Sequence, residues 1–180
     1  MLKKIKVVLC CVILCMNLAG CVKPTNEGNR QTKKLGSEQQ IADQMMEDIA
    51  TALDAGDADA LKSLFSKTAL EEATDIDQQI SALLNFYQGK KQSFEGDASS
   101  STHTKYGEDI EKQFIGQYLL ITDNESYRVI YDYKVIDKDN PDAEGLSQLE
   151  IVPDELYQED DFDFLLGNEG YEGPGVYMQE

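Results

Sequence analysis

Apolar residues recur every three or four positions from residue 38 to residue 87, which is the spacing of helices that bury one face. The pattern predicts a first helix over Glu38–Ala55, with Gly56 as its C-terminal stop. Asp57 is placed to cap a short second helix, and a third begins near Thr74 or Asp75. The three apolar stripes are Ile41, Met45, Ile49, Ala52 and Leu53; Leu61, Leu64 and Phe65; and Ile76, Ile80, Leu83, Leu84 and Tyr87.

After residue 89 the apolar positions alternate with polar ones, as in strands that are covered on one face. Four antiparallel strands are predicted, around Gln92–Ala98, Glu111–Thr122, Tyr127–Val135 and Leu146–Val152. The Ser/Thr-rich segment 99–104 is predicted to be the loop that joins the first two. Helices followed by a meander of strands indicate an α+β fold, and residues 37–180 have the usual size of one domain.

The acidic, glycine-rich C-terminal segment allows two interpretations. Tyr157–Phe164 contains both acids and large aromatic residues. It is either a docking strip for a basic partner or a final strand that closes the sheet, and its apolar content favours closure. Gly170–Gly175 is predicted to be a turn-rich tail. A weak cation cluster is a candidate here, against the alternative of a solvated acidic loop, and its residues are Glu159, Asp160, Asp161 and Asp163.

The N-terminus has the layout of an export signal. Three lysines precede an apolar run over Val7–Met16, and small residues precede Cys21. The run is too short for a spanning helix, and Leu18–Cys21 looks like a bacterial lipobox, in which the cysteine receives a diacylglyceryl group and becomes the first residue. We therefore expect a signal peptide over residues 1–20, lipidated Cys21, and a flexible polar tether over residues 21–36.

Charge and composition exclude several classes of function. The chain carries a formal charge of −18, and removal of residues 1–20 with their three lysines makes it −21. Such a charge repels nucleic acid and attracts basic partners. All four cysteines lie at or before Cys21, so thiol catalysis and disulfides are excluded from the folded part. One histidine without cysteine does not make a zinc site, and Asp137–Asp142 fails as an EF-hand because proline and aspartate occupy its fifth and sixth positions. No metal or cofactor is assigned.

Several segments resemble known families. Leu53–Asp57 followed by Ala60–Phe65 is similar to the nuclear transport factor 2-like domain, also called SnoaL-like or the cystatin-like cone. Phe114–Tyr118 and Gly170–Gly175 resemble a group of uncharacterised lipoproteins of Gram-positive bacteria that carry this domain. The resemblance implies three N-terminal helices on a curved sheet of about four strands, a hydrophobic pocket at one end of the cone, and in some members a homodimer through the sheet.

The resemblance also implies candidate site residues. Pocket enzymes of this fold transfer protons with an Asp or His base and a Tyr or acid donor. The candidate pocket-lining residues are Tyr87, Tyr118, Tyr131 and Tyr133. The alternative is that these tyrosines pack the sheet against the first helix. His103 lies in the predicted Ser/Thr-rich loop, a poor position for a base, so no catalytic residue is assigned.

Together these features predict a lipoprotein on the outer face of a bacterial cytoplasmic membrane, whose domain binds a small ligand or a protein partner without catalysis. The alternative is a pocket enzyme of the proton-transfer type, such as an isomerase or dehydratase. A cavity that joins the tyrosines to a buried carboxylate would favour the enzyme, whereas a packed interior would favour the binding module.

Overall fold

The computed structural model describes the backbone of residues 27–179 and the side chains of residues 38–179. The predicted signal peptide and Cys21 lie outside these residues. Within the described part, no helix is both long and apolar enough to cross a membrane.

Four helices precede a five-stranded sheet, and a fifth helix follows the fourth strand. The helices are α1 Glu27–Ala55, α2 Ala58–Ser63, α3 Lys67–Glu72, α4 Ile76–Phe86 and α5 Asp154–Tyr157. The strands are β1 Lys91–Lys105, β2 Glu108–Thr122, β3 Ser126–Asp137, β4 Gly145–Pro153 and β5 Gly175–Met178. They lie side by side in chain order; β1 to β4 are antiparallel, and β5 runs parallel to β4. The fold is therefore mixed α+β, with a curved sheet that does not close.

Local chemistry explains the connections between the first helices. Gly56 adopts a left-handed φ of +62° directly after α1, as its predicted role as a helix stop requires. The Asp57 side chain accepts a hydrogen bond from the backbone N–H of Ala60 and so caps α2 as predicted. Ser66 caps α3 in the same way through the N–H of Ala69. The chain thus turns twice within a few residues before it enters α4.

The helical region differs from the prediction in two respects. Four helices precede the sheet instead of three, because α3 is only six residues long and buries only Ala69, too little to produce an apolar stripe. Helix α1 begins at Glu27, inside the segment predicted as a tether, and not at Glu38. The helix formers of this segment are polar (Glu27, Arg30, Gln31, Lys33 and Lys34), and an apolar period does not detect their propensity.

The sheet also differs from the prediction at both edges. The Ser/Thr-rich segment 99–104, predicted to be a loop, belongs to β1, and His103 lies opposite Glu111 of β2. The segment is exposed on both faces, so no alternation marks it as a strand. Tyr157–Phe164 is not the final strand: that place belongs to Gly175–Met178, part of the predicted tail.

The core lies between α1 and one face of the sheet, called here the inner face. Residues Met46, Ile49 and Leu53 of α1 contribute to it, as do Leu120 of β2 and Leu149 of β4. The described core extends from Ala42 to Val176 as one cluster. Because side chains alternate along each strand, the remaining positions form an outer face, which the C-terminal segment 154–174 partly covers.

Candidate functional site

Two of the predicted tyrosines stack beneath the middle of α1. The rings of Tyr118 and Tyr131 lie 6.0 Å apart and nearly parallel. The Tyr118 hydroxyl donates to Asp43 Oδ1 at 3.0 Å and accepts from Gln39 Nε2 at 3.2 Å. The Tyr131 hydroxyl donates to the backbone carbonyl of Ala42 at 2.7 Å. Both hydroxyls are therefore used to hold α1 on the sheet.

Tyr87 makes an equivalent contact at the other end of α1. Its hydroxyl donates to Asp54 Oδ1 at 2.8 Å, and the same carboxylate accepts from the backbone N–H of Lys91. The ring packs on Tyr127 with centroids 5.4 Å apart. Tyr87, Tyr118 and Tyr131 are named here the α1-facing tyrosines.

Burial is the main reason that the pKa of each α1-facing tyrosine is raised. For Tyr87 and Tyr118, the hydrogen bond to a carboxylate is the second cause and acts in the same direction, because it favours the protonated hydroxyl. Among the described residues, no buried polar side-chain atom lacks a hydrogen-bond partner. These tyrosines thus form a packed, satisfied layer with their protons firmly held.

Tyr133, the fourth predicted residue, lines an open cleft between α1 and β3. Its half-buried ring stacks on Phe114 at 6.4 Å, and burial raises the pKa of its hydroxyl. The cleft has a volume of about 500 Å³ and is bordered by Ile41, Met45 and Val135, with Asp48 at its rim. The structure therefore separates Tyr133 from the hydrogen-bonded layer and leaves it beside solvent.

A second cleft lies on the outer face, and sequence reasoning did not identify it. This outer cleft has a volume of about 350 Å³, and its lining includes Glu95, Asp97, Gln117, Arg128, Tyr157 and Phe164. The carboxylates of Glu95 and Asp97 are exposed, and neither pairs with another residue of the described part. The opposite wall is aromatic, because Tyr157 packs against Phe162 and Phe164 with ring centroids 5.4 and 5.7 Å apart.

The side chain of Arg128 is a cation that contacts both the aromatic wall and a carboxylate. Its guanidinium carbon lies 4.4 Å from the centre of the Tyr157 ring, and its Nε donates to Asp154 Oδ1 at 2.6 Å. An aromatic face and a carboxylate together are the usual surroundings of a bound guanidinium or ammonium group. The chain therefore already places one of its own cations on the aromatic wall.

The aromatic wall is held in place by a buried glutamate on β4. Glu150 is completely buried, and its carboxylate accepts hydrogen bonds from the backbone N–H groups of Leu165 and Leu166 at 3.0 and 2.8 Å. Gln179 donates to the same group at 2.8 Å. The neighbouring Gln148 donates to the carbonyls of Tyr171 and Gly173. These two side chains fix the C-terminal segment on the outer face.

The other candidate residues, the predicted acidic cluster and His103, line neither of the two clefts. Glu159, Asp160, Asp161 and Asp163 are all exposed, and Asp163 accepts from the side-chain amide of Asn168. No three His, Cys, Asp or Glu side chains within the described ranges are grouped so that they could hold a metal ion. His103 is exposed on β1, far along the strand from the outer cleft.

Comparison with known proteins agrees with the sequence analysis at a coarse level. A family model described as a domain of unknown function, DUF5104, matches residues 48–155. The match runs from the C-terminal third of α1 to the start of α5, so it includes Glu95, Asp97 and Arg128 but stops short of the aromatic wall. Comparison with curated proteins gives no match. Since the match covers more than half of its length, this chain belongs to the DUF5104 family.

Proposed function

We propose that this protein is a bacterial lipoprotein, tethered through Cys21 to the outer face of the cytoplasmic membrane, and that its nuclear transport factor 2-like domain is a binding module for a cationic group of a partner. The leader and Leu18–Cys21 support the anchor. The helix order and the curved sheet on α1 support the domain assignment.

The outer cleft is the observation that carries the binding proposal. Its exposed carboxylates, Glu95 and Asp97, face an aromatic wall on which Arg128 already rests. A lysine or arginine side chain entering the cleft meets attraction from these carboxylates and from an aromatic surface. The formal charge of −18 adds long-range attraction for basic partners, which speeds their encounter with the domain.

The packed interior supports binding over catalysis. The pair best suited to proton transfer is Tyr118 with Asp43, whose oxygens lie 3.0 Å apart. The Tyr118 hydroxyl donates its proton to that carboxylate and accepts from Gln39, so its proton is already engaged within the protein. No observation favours the proton-transfer alternative, and the binding module is the function that we retain.

Calorimetric titration with a hexa-arginine peptide tests the binding site, with hexaglutamate as the peptide control. We expect the double variant Glu95→Gln/Asp97→Asn to weaken hexa-arginine binding several-fold. The matched control, Asp59→Asn/Glu172→Gln, removes the same two charges at exposed sites outside the cleft and should weaken it far less. Equal weakening by the two double variants would show that only the overall charge attracts the peptide, and the proposed site would be wrong.

Fractionation of the native host tests the anchor separately. Wild-type protein should remain with the membranes, whereas Cys21→Ser should be released or remain unprocessed, because it cannot accept the thioether-linked lipid. A Cys21→Ser chain that has lost residues 1–20 and still remains with the membranes would refute the anchor without affecting the outer cleft.

A further inference from the structure

The β1–β2 hairpin ends in a tyrosine that is almost completely exposed. Every residue from Ser101 to Asp109 is exposed, and Tyr106 at the turn is 97% accessible to solvent. The other exposed large apolar side chains of the described part, such as Ile115 and Tyr171, are at most 39% accessible to solvent. The tip therefore presents one whole aromatic ring to its surroundings, which is unusual for a side chain of this size.

The backbone conformation at the tip also distinguishes Tyr106 from other exposed residues, because its φ is positive. Lys105 pairs with Glu108, so Tyr106 and Gly107 form a two-residue turn, with left-handed φ values of +54° and +85°. Turns of this kind favour Asn-Gly because both central residues need a positive φ. A tyrosine in the first position adopts an unfavourable conformation, and such positions are often associated with function.

The location of the tip follows from the contacts of α1. In the N-terminal half of α1, Glu38 accepts from Ser100 Oγ at 2.9 Å and pairs with Lys112 at 3.0 Å, both in the distal half of the hairpin. At the other end, Asp54 accepts from Lys91 at the start of β1. Helix α1 therefore runs antiparallel to β1, and its N-terminus points toward the same end of the domain as the hairpin tip.

Glu38 and Ser100 contact each other, and beyond this contact helix α1 and the hairpin extend by similar lengths. From Glu38 back to Glu27, α1 extends about 17 Å at 1.5 Å per residue. From Ser100 to Tyr106, the hairpin extends about 20 Å at 3.3 Å per residue. Cys21 precedes Glu27 by six residues, which span at most about 21 Å when fully extended. The tip thus lies at the end of the domain from which the chain leads to Cys21.

We infer that the hairpin tip is a membrane contact: Tyr106 enters the headgroup region of the bilayer to which Cys21 is attached, and Lys105 lies beside lipid phosphates. Tyrosine favours this interface because its ring is apolar and its hydroxyl remains hydrated. The tethered lipid keeps the tip close to the surface, so a weak contact is sufficient to orient the domain. This inference rests on the anchor proposed above, and it leaves the outer cleft free to face a partner.

Single-tryptophan fluorescence tests the contact directly, because the natural chain contains no tryptophan. The reporter is Tyr106→Trp, and the matched control is Asn124→Trp, in the exposed turn at the opposite end of β2. The mature chain, Cys21–Glu180, is coupled through its single thiol to a maleimide lipid in vesicles of equal parts phosphatidylglycerol and phosphatidylethanolamine. This coupling supplies the tether whether or not the host lipidates Cys21, so the result is independent of the fractionation test.

We expect the emission of Tyr106→Trp to shift to shorter wavelength on the vesicles and to be quenched by lipids with brominated acyl chains, whereas Asn124→Trp keeps its water-exposed emission. The same spectrum and quenching for both variants would overturn the inference. A shift of Tyr106→Trp that appears without vesicles and grows with protein concentration would also overturn it, since the tip would then contact a second copy of the chain.

Discussion

Replacement of Glu150 by glutamine is the sharpest test of how the outer cleft is built. Glu150 is completely buried and accepts from the N–H groups of Leu165 and Leu166, which continue directly from the aromatic wall that ends at Phe164. Glutamine has nearly the same shape but only one acceptor oxygen and no charge. The change therefore removes one acceptor for the N–H groups of the C-terminal segment without creating a cavity.

The magnitude follows from the two backbone donors. One N–H loses its acceptor and meets the glutamine amide instead, which costs about 1–3 kcal/mol for a buried donor. The other bond changes from charge-assisted to neutral, a loss of about 1 kcal/mol. We expect the free energy of unfolding of Glu150→Gln to fall by about 2–4 kcal/mol. The exposed Glu155 carries the same charge in the same segment, and Glu155→Gln should change it by less than about 0.5 kcal/mol.

Urea unfolding of both variants measures the difference, with the midpoint and the slope fitted separately. Hexa-arginine binding provides a second readout, because a loosened aromatic wall should weaken it more in Glu150→Gln than in Glu155→Gln, although both lose one charge. If the two variants unfold at the same midpoint and bind the peptide equally, Glu150 does not hold the wall and the reasoning fails.

Three further predictions concern packing, ionisation and strain. Gly116→Ala should lower the free energy of unfolding by about 2–3 kcal/mol, because the new Cβ would lie 2.3 Å from Cζ of the buried Tyr131 ring. The new Cβ of the control Gly173→Ala meets nothing within 4 Å, so its free energy of unfolding should change little in the same urea assay. Equal stabilities of the two variants would contradict this packing. In an alkaline absorbance titration, the α1-facing tyrosines should keep their protons above pH 10, where an ordinary tyrosine ionises. Since their pKa is higher in the folded state, their contribution to stability is complete below about pH 10 and decreases as the pH rises further. Joint ionisation of all tyrosines near pH 10 without loss of stability would refute this. Tyr106→Asn should raise the free energy of unfolding by about 1 kcal/mol by relieving the left-handed φ, and an unchanged melting temperature would argue against strain at the tip.

The helices were predictable where an apolar stripe is long enough to define a face. The stripe from Ile76 to Tyr87 locates α4, which begins at Ile76 as the structure has it, and Asp57 caps α2 as its position suggested. Helix α3 has a single buried residue, Ala69, and carries no comparable signal. Burial creates the pattern that sequence reasoning detects, so elements with little burial are missed.

The outer cleft was not predictable for a related reason. Alternation along β4 assigns Gln148 and Glu150 to the face away from the core, where polar residues usually contact solvent. In the structure, a segment more than ten residues further along the chain covers that face, where its carbonyls accept from Gln148 and its N–H groups donate to Glu150. Periodicity describes which residues share a face but not what a distant segment places upon it.

Mass spectrometry of the N-terminal peptide, from protein purified out of native host membranes, tests the central claim most directly. We predict a chain that starts at Cys21 and carries the added mass of a diacylglyceryl group. A chain that retains Met1, or one that starts at an unmodified residue, would contradict a lipid-anchored binding protein.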